Sequence, residues 1–462
     1  MSILFHNVLL VLDEDSAPTS GSLGVRNGKI VELVRNGASA SAHRMYDRVV
    51  EGAGTLLLAP GFVEIQFNGG WGLEFTTSGL TPERLNAVAQ RLPSMGITSF
   101  LATLVSTTPA VFTNGIAACS AAMAMATAAP ATPRRLGAEI LGLHLEGPFL
   151  EPSKRGAHAE AMLVTELAPA ADVLAATYGE SAASRGSADL AAAVKLVTLA
   201  PGLHGAAEMT AALVDRGVVV SLGHSDCTLA EGVECLRSGA SVLTHLYNAM
   251  RTFHHREPGL IGCIASGARR AAVGTAAAAE AEAAEAEAVE AVAEKEVDGN
   301  TLHYELIADG HHVCAAAIAL AYRAHPRGAV LTTDSSPLIG LRNGESRTFP
   351  EMYAHTVEVK GGRAVIKGTE TLAGGCCGML QCVNNLIEMT GCTVSAAIAC
   401  ATLHPARALR IERRKGCIAV GADADLVLLE SSGSGRGNAL SLVATFAMGC
   451  EVYRHAEDAH LT

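Results

Sequence analysis

The chain is poor in charge. Lys and Arg number 34 and Asp and Glu 46 among 462 residues, which is 17% charged with a formal net charge of -12 at pH 7. That balance excludes a general nucleic-acid or anionic-membrane surface, though it leaves room for one local cationic pocket. No apolar run reaches about 18 residues without polar breaks, so no membrane span is expected. No basic residue precedes the apolar start, and Asp13, Glu14 and Asp15 follow directly, so the N-terminus does not read as a secretion signal. The twelve cysteines form no CxxC pair, with only Cys376-Cys377 adjacent. Scattered thiols argue against a zinc-thiolate cluster and for a reducing, cytoplasmic compartment.

What is abundant is apolar. At 49% hydrophobic, 462 residues can bury a large core, about what an α/β barrel with an accessory domain needs. Both ends are β-rich. Residues 3–12 are extended, Arg26-Asn27-Gly28-Lys29 is a hairpin turn, and residues 416–420, 425–429 and 442–453 read as strands. The expected division is a small β-sandwich built from residues 1–58 and 408–462, around a barrel spanning 59–407.

The middle alternates apolar and helical stretches, the pattern of βα units around a parallel sheet. Strand candidates are residues 59–67, 98–105, 140–146, 196–201, 218–224, 241–247, 302–308 and 329–333, as many as a closed (β/α)8 barrel requires. Helices are expected at 82–95, with Thr81-Pro82 as cap and first turn, at 206–216 and at 229–237. Residues 276–297 are nearly pure Ala and Glu, without apolar periodicity, and read as a low-complexity insertion.

Polar residues fall where the strands end: Gln66-Phe67-Asn68, His144-Leu145-Glu146, Gly223-His224-Ser225, Thr244-His245, Asp309-Gly310-His311-His312 and Asp334. In a βα barrel those ends converge on one face. A lone histidine is usually structural; six such positions at the same end of their strands point to a site. Glu146, His224 and His245 make a set of two imidazoles and a carboxylate that leaves a divalent metal an open position for water. Asp334 is the expected general acid/base, and His158 or His312 a group that polarises a scissile carbonyl. His144 shares a strand face with Glu146 and reads as a support rather than a fourth ligand.

Leu143-His144-Leu145-Glu146-Gly147-Pro148-Phe149, Gly223-His224-Ser225 and Thr244-His245-Leu246-Tyr247-Asn248-Ala249-Met250 resemble N-acetylglucosamine-6-phosphate deacetylases of the amidohydrolase superfamily. So do Arg256-Glu257-Pro258-Gly259-Leu260, Ile307-Ala308-Asp309-Gly310-His311-His312 and Thr332-Thr333-Asp334. The resemblance implies a (β/α)8 barrel with a small β-sandwich, and one principal divalent metal on Glu146, His224 and His245. Zinc is the expected ion, with iron(II) or another divalent ion as alternatives. It implies a small phosphorylated amino sugar as substrate, hydrolysed at its acetamide in amino-sugar catabolism, with catalytic Asp334 and His158. Asn248, the Ala249 backbone and Arg256 would hold the phosphate. That arginine would reach the neighbouring active site of a homodimer. His312 and Ala157 would lie beside the substrate, Gln66 would complete the metal-side wall, and Leu372-Ala373-Gly374 would close over the sugar.

The chain departs from the pattern in places. Gln66-Phe67-Asn68 replaces a superfamily His-x-His, and Lys195 precedes its strand, both of which argue for one metal rather than two. Ala200-Pro201-Gly202 stands where Ala-Pro-Glu is common, and Ala157 where threonine is common. A cyclic-amide hydrolase of the dihydroorotase or hydantoinase kind is the rival enzyme reading. A non-catalytic scaffold on the same barrel is the rival outside enzymes.

Overall fold

The computed structural model describes residues 2–36, 45–127, 136–179, 188–265, 301–353, 355–432 and 439–456. The Ala/Glu segment 276–297 lies outside them.

Eight parallel strands follow one another around a barrel: Phe62–Phe67, Ile97–Val105, Glu139–Glu146, Val194–Leu199, Val219–Leu222, Val242–Leu243, His303–Leu306 and Ala329–Leu331. Each coincides with an apolar run picked out above. The seam between first and eighth strands closes through a parallel bridge from Phe67 to Ser335. It is reinforced by the buried Glu64 carboxylate, which accepts from Gln66 N, Thr332 Oγ1, Thr333 N and Thr333 Oγ1 at 2.7–3.0 Å. Four donors around one carboxylate offset the cost of burying it.

The barrel interior is layered. Val63, Ile65, Leu101, Leu141, Leu196, Val219, Val242 and Val330 form an apolar floor. Above it runs a hydroxyl chain, His144 Nε2 to Thr198 Oγ1 (2.8 Å), Thr198 to Thr244 (2.8 Å) and Thr244 to Ser221 (2.6 Å). His144 therefore spends its Nε2 on Thr198 of the neighbouring strand rather than on Glu146.

The surrounding helices start where the sequence caps them. Thr81 accepts from Arg84 N, and Thr228 and Glu231 form a reciprocal capping box for Leu229–Arg237. The helix expected over 82–95 is shorter: it stops at Ala89, and Pro93 lies in a separate 3-10 turn, Leu92–Met95. Proline cannot continue the ladder there. Pro109–Thr127 is long and apolar enough to cross a membrane by composition. It instead sets Phe112, Ala118, Cys119 and Ala122 into the main core.

The chain ends share one mixed sheet, in the order Cys450–Arg454, Ala439–Ala447, Leu426–Ser432, Leu57–Pro60, Ser2–Leu10, Thr19–Arg26, Lys29–Arg35, with Arg48–Glu51 also on Ser2–Leu10. The sheet curls until Phe5 and Phe446 meet edge-on at 4.8 Å, so the expected sandwich is made by one continuous sheet. Its Asn27-Gly28 turn has positive φ at both residues (50° and 79°), as a two-residue hairpin of this kind requires. Residues 416–420 are not a strand; they form turns around buried Ile418. Pro60 belongs to this sheet and Phe62 to the barrel, and the chain passes between them at Gly61, where a Cβ would lie 2.2 Å from Thr98 Cγ2.

Charge fastens the sheet to the barrel. Lys415, buried, lies 2.6 Å from Glu139 and 2.8 Å from Asp423, and also bonds Asp425. Arg414 adds a bidentate pair to Glu139 at 2.9 Å. The acidic trio Glu139, Asp423 and Asp425 is thus a lysine's cage. Asp423 and Asp425 help join the small sheet to the barrel.

Candidate metal centre and active site

Glu146 ends the third strand, while His224 and His245 follow the fifth and sixth. Both histidines, and Asp334 after the eighth strand, have positive φ (47°, 29° and 43°). Few non-glycine residues adopt this region, and its concentration at one barrel mouth is how strain gathers at sites that must aim side chains inward.

The result is a tight triad. Glu146 Oε1 lies 3.1 Å from His224 Nε2 and 3.1 Å from His245 Nε2, and the two nitrogens are 2.9 Å apart. His224 Nδ1 donates to the Lys154 carbonyl at 2.8 Å, so its Nε2 carries a bare lone pair. Three electron-rich atoms facing one point are mutually repulsive unless a cation sits among them. The donor set therefore fits a divalent ion with two imidazoles and a carboxylate.

His158 approaches the same carboxylate, its Nε2 4.0 Å from Glu146 Oε2, but plays a different part. Its Nδ1 accepts from Ser106 N–H at 3.3 Å, so the ring hydrogen is on Nε2, which has no lone pair for a metal. Burial holds this imidazole neutral, its pKa pushed down to about 3. What remains is a neutral N–H donor aimed at the cluster.

Asp334 is half-buried at the cavity wall, and desolvation together with the charge of Glu146 raises its carboxyl to about 7. His245, His312 and Asn68 work against that rise, and a divalent ion would add to them. Asn68 Nδ2 donates to Asp334 Oδ1 at 2.8 Å. His312 leans on Asp309, Nδ1 to Oδ2 at 2.7 Å; burial opposes its charge, yet that bond and the charge of Asp309 raise its pKa.

These groups line one cavity of about 200 Å3. Glu146, Ala157, His158, His224, His245, Asn248, Ala249, His312, Asp334, Leu372 and Gly374 all reach it. Three of the expected residues do not. Gln66 is fully buried, and neither of its amide atoms has a hydrogen-bond partner among the described residues. Ala373 turns into an apolar cluster with Val105, Met352 and Tyr353, where its carbonyl accepts from Tyr353 OH at 3.2 Å. Arg256 is exposed on the loop after Asn248 and Ala249. Lys195 does not precede the fourth strand but is its second residue, at the end of the barrel away from the cavity, and donates to Ala191 O.

Sequence reasoning passed over Asn68, Asp309, Ser106, Met352 and Tyr353. Asn68 and Asp309 lay within quoted motifs, and only their partners give them a role. Met352 and Tyr353 arrive on a segment flanking a three-stranded sheet of Ser346–Thr348, Thr356–Lys360 and Arg363–Ile366. Gly202 has a structural answer. A Cβ there would lie 2.1 Å from Glu151 Oε1, so the glycine leaves room for a carboxylate from elsewhere. Glu151 in turn accepts from Ser225 Oγ at 2.5 Å and Asp226 N at 3.1 Å beside His224.

Residues 57–452 match the amidohydrolase family. N-acetylglucosamine-6-phosphate deacetylase of Homo sapiens is 38% identical over 82% of this chain and 81% of its own length. The protein of that name from Bacillus subtilis (strain 168) is 31% identical over 93% of each. The crystal structure of a mutant N-acetyl-D-glucosamine-6-phosphate deacetylase from Mycobacterium smegmatis, in complex with N-acetyl-D-glucosamine-6-phosphate, superposes with a TM-score of 0.73 and 26% identity, covering 98% of this chain and 99% of that one. The chain belongs to the amidohydrolase family, among the N-acetylglucosamine-6-phosphate deacetylases.

Proposed function

We propose that the chain hydrolyses the acetamide of N-acetyl-D-glucosamine 6-phosphate, giving D-glucosamine 6-phosphate and acetate. The observation that carries this reading is the meeting of Glu146, His224 and His245 at 2.9–3.1 Å within the cavity that Asp334 and His158 also line. A divalent ion, zinc in this proposal, would be held by those three residues and would lower the pKa of the attacking water while drawing charge from the acyl oxygen.

The chain's own groups supply the rest. Asp334 takes a proton from the water as it adds to the acyl carbon, then returns it to the nitrogen as the C–N bond breaks. His158 donates its Nε2 hydrogen to the oxygen that gains charge. His312, its far nitrogen tied to Asp309, faces the sugar. Asn248 and the Ala249 backbone hold the phosphate together with Arg256 of the partner subunit, whose guanidinium can grip it bidentately. The position of Arg256 outside its own chain's cavity supports that arrangement, as does exposed Phe253 nearby, 57% accessible and suited to a subunit contact. Leu372 and Gly374 close over the substrate. Cys119, Cys227, Cys235, Cys263, Cys382 and Cys400 are buried free thiols, which supports a cytoplasmic setting.

The test is direct. Purified protein, supplied with Zn2+, is given N-acetylglucosamine 6-phosphate, the galactosamine isomer, dihydroorotate and hydantoin, and acetate and free amine are measured. Release of both from the glucosamine substrate is expected; turnover of the cyclic amides alone would overturn the reading.

A further inference from the structure

We infer that Asn68 is a positioning residue for the proton transfer: it ties up one oxygen of Asp334, so that the other, Oδ2, is left to carry the proton. This deepens the functional reading above and rests on Asp334 as the acid/base.

The orientation of the Asn68 amide follows from its partner. An ionised carboxylate can only accept, so the atom 2.8 Å from Asp334 Oδ1 is the NH2 group. Both residues are anchored by backbone. Asn68 N donates to Ser335 O at 3.1 Å, Gly375 N donates to Asp334 O at 2.6 Å, and Phe67 and Ser335 pair across the closing seam. Fixed main chains leave the carboxylate its two side-chain torsions, a staggered χ1 and a soft, roughly two-fold terminal χ2. Among the described residues, the side-chain hydrogen bond that opposes rotation of this carboxylate is the one from Asn68. Asn68 is itself 3% exposed and lines the cavity, so water does not readily replace it. With Oδ1 occupied, Oδ2 is the oxygen free to meet the attacking water and, later, the departing nitrogen. A displacement of about 1 Å at such a group costs on the order of a hundredfold in rate.

The experiment is a double-mutant cycle on the metal-loaded enzyme with N-acetylglucosamine 6-phosphate. Asn68→Ala is expected to lower kcat about 10- to 100-fold with KM changed less than about threefold, at unaltered metal content and Tm. In an Asp334→Asn background the same substitution should cost less than about twofold, because the group it positions is gone. The solvent isotope effect on kcat should rise in the single variant, as proton transfer becomes limiting. Asn68→Asp, which sets a second carboxylate against the first, should lose at least as much as Asn68→Ala. Losses that multiply in the double variant, or an effect confined to KM, would overturn the inference. Wild-type protein that releases no acetate would instead sink the functional reading itself.

Discussion

The Nδ1–H of His224 donates to the carbonyl oxygen of Lys154 at 2.8 Å, and that bond decides which nitrogen faces Glu146. A carbonyl cannot be protonated away at ordinary pH, so the ring is held with its lone pair inward. The chain should therefore bind one divalent ion per subunit, measurable by elemental analysis after gentle purification. Glu146→Gln should weaken that binding at least about tenfold, and chelation should abolish turnover until metal is returned. A protein that keeps full activity without metal would contradict the arrangement.

Asp334→Asn keeps the shape of the side chain and removes its ability to carry a proton. We expect substrate to bind while kcat falls at least about a hundredfold, the usual scale for a lost acid/base. Single-turnover kinetics separate the two effects; near-normal turnover would refute the assignment.

Arg256→Ala should raise KM for the phosphorylated sugar far more than for its unphosphorylated counterpart. Mixed dimers offer a sharper measurement. A subunit carrying Arg256→Ala keeps its own Asp334, and a partner carrying Asp334→Asn still supplies an arginine, so co-refolding the two impaired variants should restore one site of wild-type KM per dimer. Failure to complement would mean that Arg256 acts within its own chain or not at all.

Much of the barrel was legible because its strands are apolar runs punctuated by Gly, Pro and short polar residues. The cluster was legible because a carboxylate and imidazoles at strand ends have few bland explanations. What stayed hidden needed three dimensions. The division of residues 59–67 between two domains turns on Gly61 passing under Thr98, a clash invisible in one dimension. Glu151 filling the space at Gly202 is a contact between loops about fifty residues apart, which no local pattern announces. The Thr356–Lys360 and Arg363–Ile366 hairpin did carry a signature, Gly361-Gly362 between alternating residues, and could have been read.

Replacing Lys415 by Met should destabilise the protein by about 3–5 kcal/mol, since it strands buried carboxylates without their cation. Urea unfolding followed by far-UV circular dichroism would measure this. Stability equal to wild type would show that Arg414 and Lys29, the latter 2.7 Å from Asp423, suffice to neutralise the trio.

Acid should loosen the joint between the domains. Burial alone would raise the Glu14 carboxyl, but hydrogen bonds and charge from His404 (2.7 Å) and Arg407 (3.1 Å) lower it to about 2. A carboxyl depressed in the folded state adds stability above its unfolded pKa, and that contribution disappears as pH falls from about 5 towards 2. Glu14 is only half enclosed, so solvent screening leaves about 1–2 kcal/mol at neutral pH. Glu14→Gln should therefore be less stable than wild type at pH 7 and nearly equal to it at pH 2.5. A constant difference across that range would show that the pair contributes nothing through charge.

The strand Leu57–Pro60 lies between Ser2–Leu10 and Leu426–Ser432. During synthesis the first strands leave the ribosome hundreds of residues before the one that must lie against them, and their open edge is exposed throughout. The barrel can fold in the interval, so the small sheet is expected to be the last part to lock.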